Sequence, residues 1–468
     1  MADRQDGPLE KIQAAIGWCA LTLVLLSAIP LGSNRPVSWL GLSAAALILF
    51  SCQLLVDIGP SRGSQKIVKL WGAAILMLAV LIWGFIQTSV GATAALTGWS
   101  NILASMAGWN DTVSLTHPTW AAVDMEGTIS ADPISGRNSL FRMFAYIALF
   151  WIAVRAGNKA ARAATMMKAI GVFVAVLSAF GLFAYASGQN PILGDEVSGT
   201  LSATFVNRNS FATYAAFGVL VNLAILLEIQ HGLASESAER ALRRFLETFF
   251  AGGWLFTIAF FICATALVAS QSRGGALSLV VGMAVLLAAN HANRSEGGGP
   301  ALVVVALGVV FVVSTSATGL LGRIISAPDE ESRFPIYGRI LEAISLRPWI
   351  GHGLGSFEDA FRPFVPLSAA AAEWDKAHNT YLELAFELGI PMAALFFLAI
   401  FLVALRVFRG ALTRQRFVAI PLAGIGCIVA AAVHSVFDFS LQIPAIAAVF
   451  AFIVGLAWVQ SFPERQRS

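Results

Sequence analysis

Apolar residues in this chain come in long runs rather than in alternation. Stretches such as Ile12–Ile29, Val68–Gln87 and Phe417–Val436 run for about 18 residues or more with almost no charge, the length that crosses a hydrocarbon core of roughly 30 Å. Twelve such runs can be marked: Ile12–Ile29, Val37–Val56, Val68–Gln87, Leu140–Arg155, Lys168–Ser187, Phe211–Glu228, Phe250–Ala269, Gly274–Asn290, Pro300–Ala317, Gly389–Arg406, Phe417–Val436 and Leu441–Gln460. Continuous runs exclude the two-residue period of an outer-membrane barrel. Backbone inside lipid must satisfy its own N–H and C=O groups, so every run is predicted helical. The expected fold is all-α, one polytopic integral membrane domain over residues 1–468 with about 12 transmembrane helices.

Composition strengthens this reading. The chain is 57% hydrophobic and 12% charged, against roughly 25% charged in soluble proteins. Cys19, Cys52, Cys263 and Cys427 all fall inside apolar runs, where a thiol is a small packing residue and not part of a disulfide framework or zinc site. Arg4 and Lys11 before the first run resemble a signal peptide, but a small-x-small cleavage site is missing, so the run reads as an uncleaved first helix. Placing both termini in the cytoplasm puts 19 of the 30 basic residues on that side, as the positive-inside rule demands. Among the short outer connections only Arg35, Arg208 and Arg273 are basic.

Two long segments then lie outside, Thr88–Ser139 and Thr318–Leu388. The first is rich in Trp, Thr, Gly and Pro and is expected to form a cap. The second reads as a helix through "YGRILEAISL", a proline break, a glycine-rich turn, an amphipathic helix, and a further helix "NTYLELAFEL" that Gly389 and Pro391 end or kink. No repeat of fixed period recurs.

Charge at a membrane mouth is a functional signal by default. Arg208 in "FVNRNSFATY" and Arg273 in "SQSRGGALSL" precede runs that both descend from the outer face. Each therefore stands beside the positive end of a helix, and a guanidinium at a helix N-terminus is a ready anion site, suited to phosphate. Either arginine alone could snorkel to lipid headgroups; the pair, in connections otherwise poor in base, favours an anionic ligand. His378, just before "NTYLELAFEL", is a candidate general base or else a residue that starts a helix at the interface. Glu383 and Glu387 share a helix face that points away from His378, and they read as a solvated face. Arg339, Arg347 and Arg362 add positive charge to the same segment. His434 and Asp438, in "HSVFDFSLQIP", could face the same cavity or simply bond between helices. "GHGLG" lacks the strand and lysine of a nucleotide loop, and His352 in it reads as a turn residue. No His, Cys and Asp cluster has metal spacing.

Taken together, "TFVNRNSFATY", "SQSRGGALSLVVG", "GRILEAISLRPWIGHGLGSF", "HNTYLELAFELGIP" and "HSVFDFSLQIP" resemble, in order, the O-antigen ligase and polymerase family of bacterial envelope polysaccharide enzymes. The likeness covers about Thr204 to Pro444; ahead of it only hydropathy and "PLGSNRP" correspond. The resemblance implies a glycosyltransferase of the bacterial inner membrane, acting at its periplasmic face. The donor would be an undecaprenyl-diphosphate-linked glycan, the acceptor a glycan or lipid hydroxyl, with no metal, nucleotide cofactor or nucleic acid. It further implies that Arg208 and Arg273 hold the donor diphosphate, that His378 serves the acceptor, and that Arg339 is a secondary candidate. The rival class is a transporter or flippase of the same lipid-linked glycans. That class calls for repeated halves and polar groups at mid-membrane, whereas the runs here are nearly free of charge.

Overall fold

A computed structural model describes residues 7–58, 69–90, 127–196, 199–231, 249–293, 334–365 and 374–462, together with Arg243 and Glu247. Its helices are α1 (Pro8–Leu26), α2 (Pro36–Ile58), α3 (Trp71–Gln87), α4 (Pro133–Ala156), α5 (Ala160–Ser187), α6 (Arg208–His231) and α7 (Trp254–Ala269). After these come α8 (Arg273–Asn293), α9 (Phe334–Leu346), α10 (Phe357–Phe361), α11 (Thr380–Leu388), α12 (Ile390–Thr413), α13 (Ala419–His434) and α14 (Pro444–Gln460). A small antiparallel pair, Gln189–Asn190 with Asp195–Glu196, follows α5. Among the described residues, seven helices are long and apolar enough to cross a membrane, and α3, α7, α13 and α14 are shorter apolar helices.

Eleven of the twelve expected runs thus coincide with a helix. The twelfth, Pro300–Ala317, lies outside the described residues, as do most of Thr88–Ser139 and the start of Thr318–Leu388. Boundaries move where polar residues extend a helix. The segment Pro133–Ser139, expected in a loop, is the first part of α4, because Asp132 caps it through Ile134 N and Ser135 N, both 3.0 Å away. Ala160–Met167 likewise extends α5 beyond its apolar run. The run from Phe250 opens with a π-helical turn over Phe249–Gly253.

α6 is the central post: 94% of its most apolar window is buried inside the protein. It packs against α5, α7, α8 and α13, while α14 packs against α4 and α13. Helices in lipid gain most from close backbone approach over small residues. Gly282 of α8 shows why: a Cβ there would lie 2.8 Å from Gly426 O and 3.0 Å from the Ala430 methyl of α13.

The bundle has two chemically different ends. At one, Arg155 pairs with Asp57 at 2.6 Å, Lys159 pairs with Glu10 at 3.2 Å, and Arg414 donates to the carbonyls of Arg416, Gln460 and Phe462. The described chain begins and ends there. The other end carries the starts of α6 and α8, the end of α13, and a small assembly formed by α9, α10 and α11. That assembly has its own core around Ile336, Ile340, Phe357, Phe361 and Phe386. A second apolar cluster, with Val80, Leu81, Leu140, Leu354 and Leu388, seats it on α3 and α4. Buried Gln87, at the end of α3, fastens the joint. Its amide nitrogen donates to Ile350 O (2.7 Å) and Glu387 O (2.9 Å), and its oxygen accepts from Leu354 N (3.1 Å).

Candidate functional site

Both arginine-bearing helix starts are built by local capping. Asn207 Oδ1 accepts from Asn209 N at 2.7 Å at the start of α6. Ser272 Oγ accepts from Gly275 N at 3.1 Å, which satisfies one of the free N–H groups that open α8. The same hydroxyl donates to Asn209 Oδ1 at 2.8 Å. One hydrogen bond therefore pins Asn209, next to Arg208, to Ser272, next to Arg273. Arg208 is half-buried and Arg273 exposed. The positive ends of two parallel helices consequently lie side by side with a guanidinium at each, an arrangement suited to an anion.

The loop before α6 is held from below. Thr204 Oγ1 donates to Ala28 O (2.7 Å) and Asn190 Nδ2 to Ala203 O (2.8 Å). The α1–α2 connection adds a left-handed turn, with φ of 54° at Leu31, 62° at Gly32 and 57° at Ser33. Gly32 suits it twice over, since a Cβ there would come within 2.6 Å of the Phe205 ring. The expected "PLGSNRP" connection is thus a support under the Arg208 loop.

α13 brings the next groups. A Cβ on Gly274, beside Arg273, would be 3.5 Å from His434 Nε2. His434 is buried at the end of α13, and its carbonyl accepts from Asp438 N at 2.9 Å. Asp438, also buried, places Oδ1 at 3.8 Å from His378 Nδ1 and accepts there from Phe439 N at 2.7 Å. At 3.8 Å the His–Asp contact is an ion-pair distance, longer than a formed hydrogen bond. Burial pushes the Asp438 carboxyl up, but the imidazoles of His378 and His434 and the Phe439 N–H outweigh it, so the group sits below its ordinary value. It is therefore a carboxylate near neutral pH.

His378 is fixed from several directions. Its backbone is left-handed, with φ 51°, a conformation that a non-glycine residue keeps only when its surroundings over-determine it. Tyr337 Oη of α9 donates to His378 O at 3.1 Å. Asn379 caps α11 by accepting from Tyr381 N (3.0 Å) and Leu382 N (3.1 Å). Thr380 N donates to Ser435 O at 2.8 Å, and Thr380 Oγ1 to Asp438 O at 3.2 Å, which ties α11 to the end of α13. The ring lies edge-on to Phe439 (5.0 Å) and Trp374 (6.4 Å) and is partly exposed.

The residues beside Arg208 and Arg273 are thus linked, through Gly274 and His434, to Asp438 and His378. Arg339 is not part of this linkage: its side chain is exposed and pairs with Glu342 on the same helix at 2.8 Å. The solvated-face reading of Glu383 and Glu387 is overturned, because both are buried. Glu383 Oε2 accepts from Ala377 N at 3.0 Å and Oε1 lies 3.5 Å from Lys376 Nζ. Glu387 Oε1 accepts from Phe357 N at 3.3 Å. Burial, and then the neighbouring Glu383, push the Glu387 carboxyl up to about 8. His352 does sit in a turn, but it is buried and stacked on Phe386 at 4.2 Å, a packing role. Among the described residues, no three His, Cys, Asp or Glu side chains come together as a metal site.

The fold is a polytopic helical bundle, with Arg208 and Arg273 at two helix starts and the Asp438–His378 pair at the same end. Residues 258–398 match the family model described as O-Antigen ligase, a match that supports the O-antigen ligase/polymerase family. The matched segment runs from α7 into α12 and contains Arg273, Arg339 and His378; Arg208, His434 and Asp438 lie outside it. No curated protein matches the sequence.

Proposed function

We propose that this protein is a glycosyltransferase that ligates or polymerises undecaprenyl-diphosphate-linked glycans on the periplasmic face of the bacterial inner membrane. The observation that carries the reading is the Asn209–Ser272 hydrogen bond. It aligns two arginine-bearing helix starts beside the helix end that holds His434 and Asp438. The basic bias of the sequence, which gives 19 of 30 basic residues to the side that holds both termini, supports the periplasmic side for the site and the cytoplasmic side for the termini.

In the proposed reaction an acceptor hydroxyl attacks the anomeric carbon from the face opposite the leaving group, so configuration inverts. The C–O bond to the diphosphate breaks, and its electron pair remains on the departing phosphate oxygen. Arg208 and Arg273 stabilise the charge that grows there, where prepositioned donors act most strongly. The hydroxyl proton passes to His378. Asp438 Oδ1 lies 3.8 Å from Nδ1, and closing that gap to a hydrogen bond in the reacting complex would hold the ring proton on that nitrogen and leave Nε2 as the base. The resulting imidazolium is stabilised by the Asp438 carboxylate. Two guanidiniums supply the charge neutralisation that a divalent ion provides elsewhere, so transfer is expected to continue under exhaustive chelation and without nucleotide. Activity that stops with chelator and returns with one divalent ion would contradict this.

The glycan profile of a strain lacking the protein tests the reading. Long glycans retained on the lipid carrier are expected of a missing ligase, and single repeat units of a missing polymerase. Lipid-linked glycan trapped on the cytoplasmic side would replace the enzyme with a flippase.

A further inference from the structure

We propose that Glu383 is a positioning residue that sets the backbone of His378 for proton transfer, an inference that rests on the base role assigned to His378 above. Glu383 lies in the first turn of α11, five residues along the chain from the histidine, and its carboxylate folds back on the segment leading into it. Oε2 takes the N–H of Ala377 at 3.0 Å, and Oε1 faces the Lys376 ammonium at 3.5 Å. Those are the two residues immediately before His378.

The geometry explains why a buried acid is needed at this point. The chain enters α11 through a left-handed residue, so the N–H of Ala377 points into the assembly instead of into a helix ladder. A buried N–H left without a partner is costly, because it has lost water and gained nothing in exchange. A carboxylate serves it better than a neutral acceptor, because hydrogen bonds to charged groups are shorter and stronger. Lys376 supplies the countercharge. Burial disfavours its ammonium, but Glu383 and then Glu387 more than offset this and raise the group on balance. The far side of His378 is held independently by Tyr337 Oη on its carbonyl and by Ser435 O on Thr380 N. Glu383 completes the third side, and with it the angle at which Nδ1 meets Asp438.

The inference also gives the buried acid a function that packing does not supply. An acid that merely filled space could be replaced by leucine at small cost to turnover. One that orients the base cannot, since displacement of about 1 Å at a reacting group costs roughly a hundredfold in rate.

The test uses the full-length protein with Glu383→Ala, Glu383→Gln and His378→Ala, in two measurements. Amide hydrogen exchange over residues 374–381 reads the backbone directly, and transfer kinetics read the consequence. For Glu383→Ala, exchange in that segment should rise while the helices of the bundle keep their protection. Its kcat should fall roughly tenfold to a hundredfold, with the donor KM within about twofold because the arginines hold the diphosphate. The limb of the kcat–pH profile that reports the base should move as well. Glu383→Gln keeps an oxygen for Ala377 N–H and should recover most of the protection and part of kcat. Wild-type kcat in Glu383→Ala alongside an inactive His378→Ala would overturn the proposal while leaving the base role intact. Full turnover by His378→Ala would instead remove the base role. Unchanged exchange over 374–381 in Glu383→Ala would overturn the positioning claim whatever the kinetics.

Discussion

The Asn209–Ser272 link offers the most discriminating perturbation, because two substitutions at one position separate its two roles. Ser272 Oγ accepts from Gly275 N as the helix cap of α8 and donates to Asn209 Oδ1 across to α6. Ser272→Ala loses both. The cap is worth about 1 kcal/mol and a hydrogen bond of this kind about 0.5–1.5 kcal/mol, so the combined effect is roughly 2 kcal/mol. Ser272→Gly loses the cross-link but gives up only a few tenths of a kcal/mol of capping. If the link aligns Arg208 with Arg273, Ser272→Gly should lower kcat/KM for the donor by about tenfold, the equivalent of roughly 1.4 kcal/mol. Ser272→Ala should lower it further and should also shift the thermal transition. Asn209→Ala should match Ser272→Gly, and the Asn209→Ala/Ser272→Gly double variant should add little to either single one, as two halves of one contact must. The assay is glycan transfer at varied donor concentration with purified protein. Wild-type donor kcat/KM in both Ser272→Gly and Asn209→Ala would refute the idea that this bond sets the arginine pair.

Three further outcomes follow from named contacts. Gln87→Leu removes three hydrogen bonds, two of them buried, that seat the α9–α11 assembly on α3; it should raise protease sensitivity within residues 334–388 and reduce kcat while the bundle still inserts. Glu387 has a folded pKa of about 8, above its unfolded value of about 4.3, so the folded state holds the extra proton between these values. Its contribution therefore weakens stability as pH rises through that window and is constant above about 8. The gain in Tm from Glu387→Gln should accordingly grow from pH 5 to pH 8, and a gain independent of pH would contradict the sign. Gly282→Ala should cost about 1–3 kcal/mol through overpacking against Gly426 and Ala430, measured as a lower unfolding temperature in detergent with donor KM unchanged.

Run length alone made most of the bundle legible, since a continuous apolar stretch in lipid has no alternative to helix. Errors fell where polar residues carry a helix past its apolar run. Asp132 starts α4 seven residues before Ser139, the expected end of the preceding loop. The position of Arg208 and Arg273 at two helix starts was readable because run boundaries and helix direction combine into a local signal. The bond joining the two starts was not, because Asn209 and Ser272 are 63 residues apart and only tertiary packing pairs them. Glu383 and Glu387 were misread for a specific reason. Helical angles were extended back to His378, but His378 lies before the Asn379 cap with a left-handed backbone, so the chain folds over the face it was expected to leave. The buried partners that stabilise those acids, Ala377 N–H, Lys376 and Phe357 N–H, come from segments whose placement no periodicity encodes.

Reconstitution of transfer tests the central claim most directly. Purified protein in liposomes, supplied with an undecaprenyl-diphosphate-linked glycan and an acceptor, should release one undecaprenyl diphosphate for each glycosidic bond made. Arg208→Ala and Arg273→Ala should each reduce both products to near background while the protein remains folded. Each loses a charge-assisted contact worth about 1.5–3 kcal/mol before transition-state strengthening. Lysine at either position should restore only part of the rate, because a point charge lacks the bidentate fork. Wild-type transfer by both alanine variants, or movement of donor across the bilayer with no bond formed, would contradict the account.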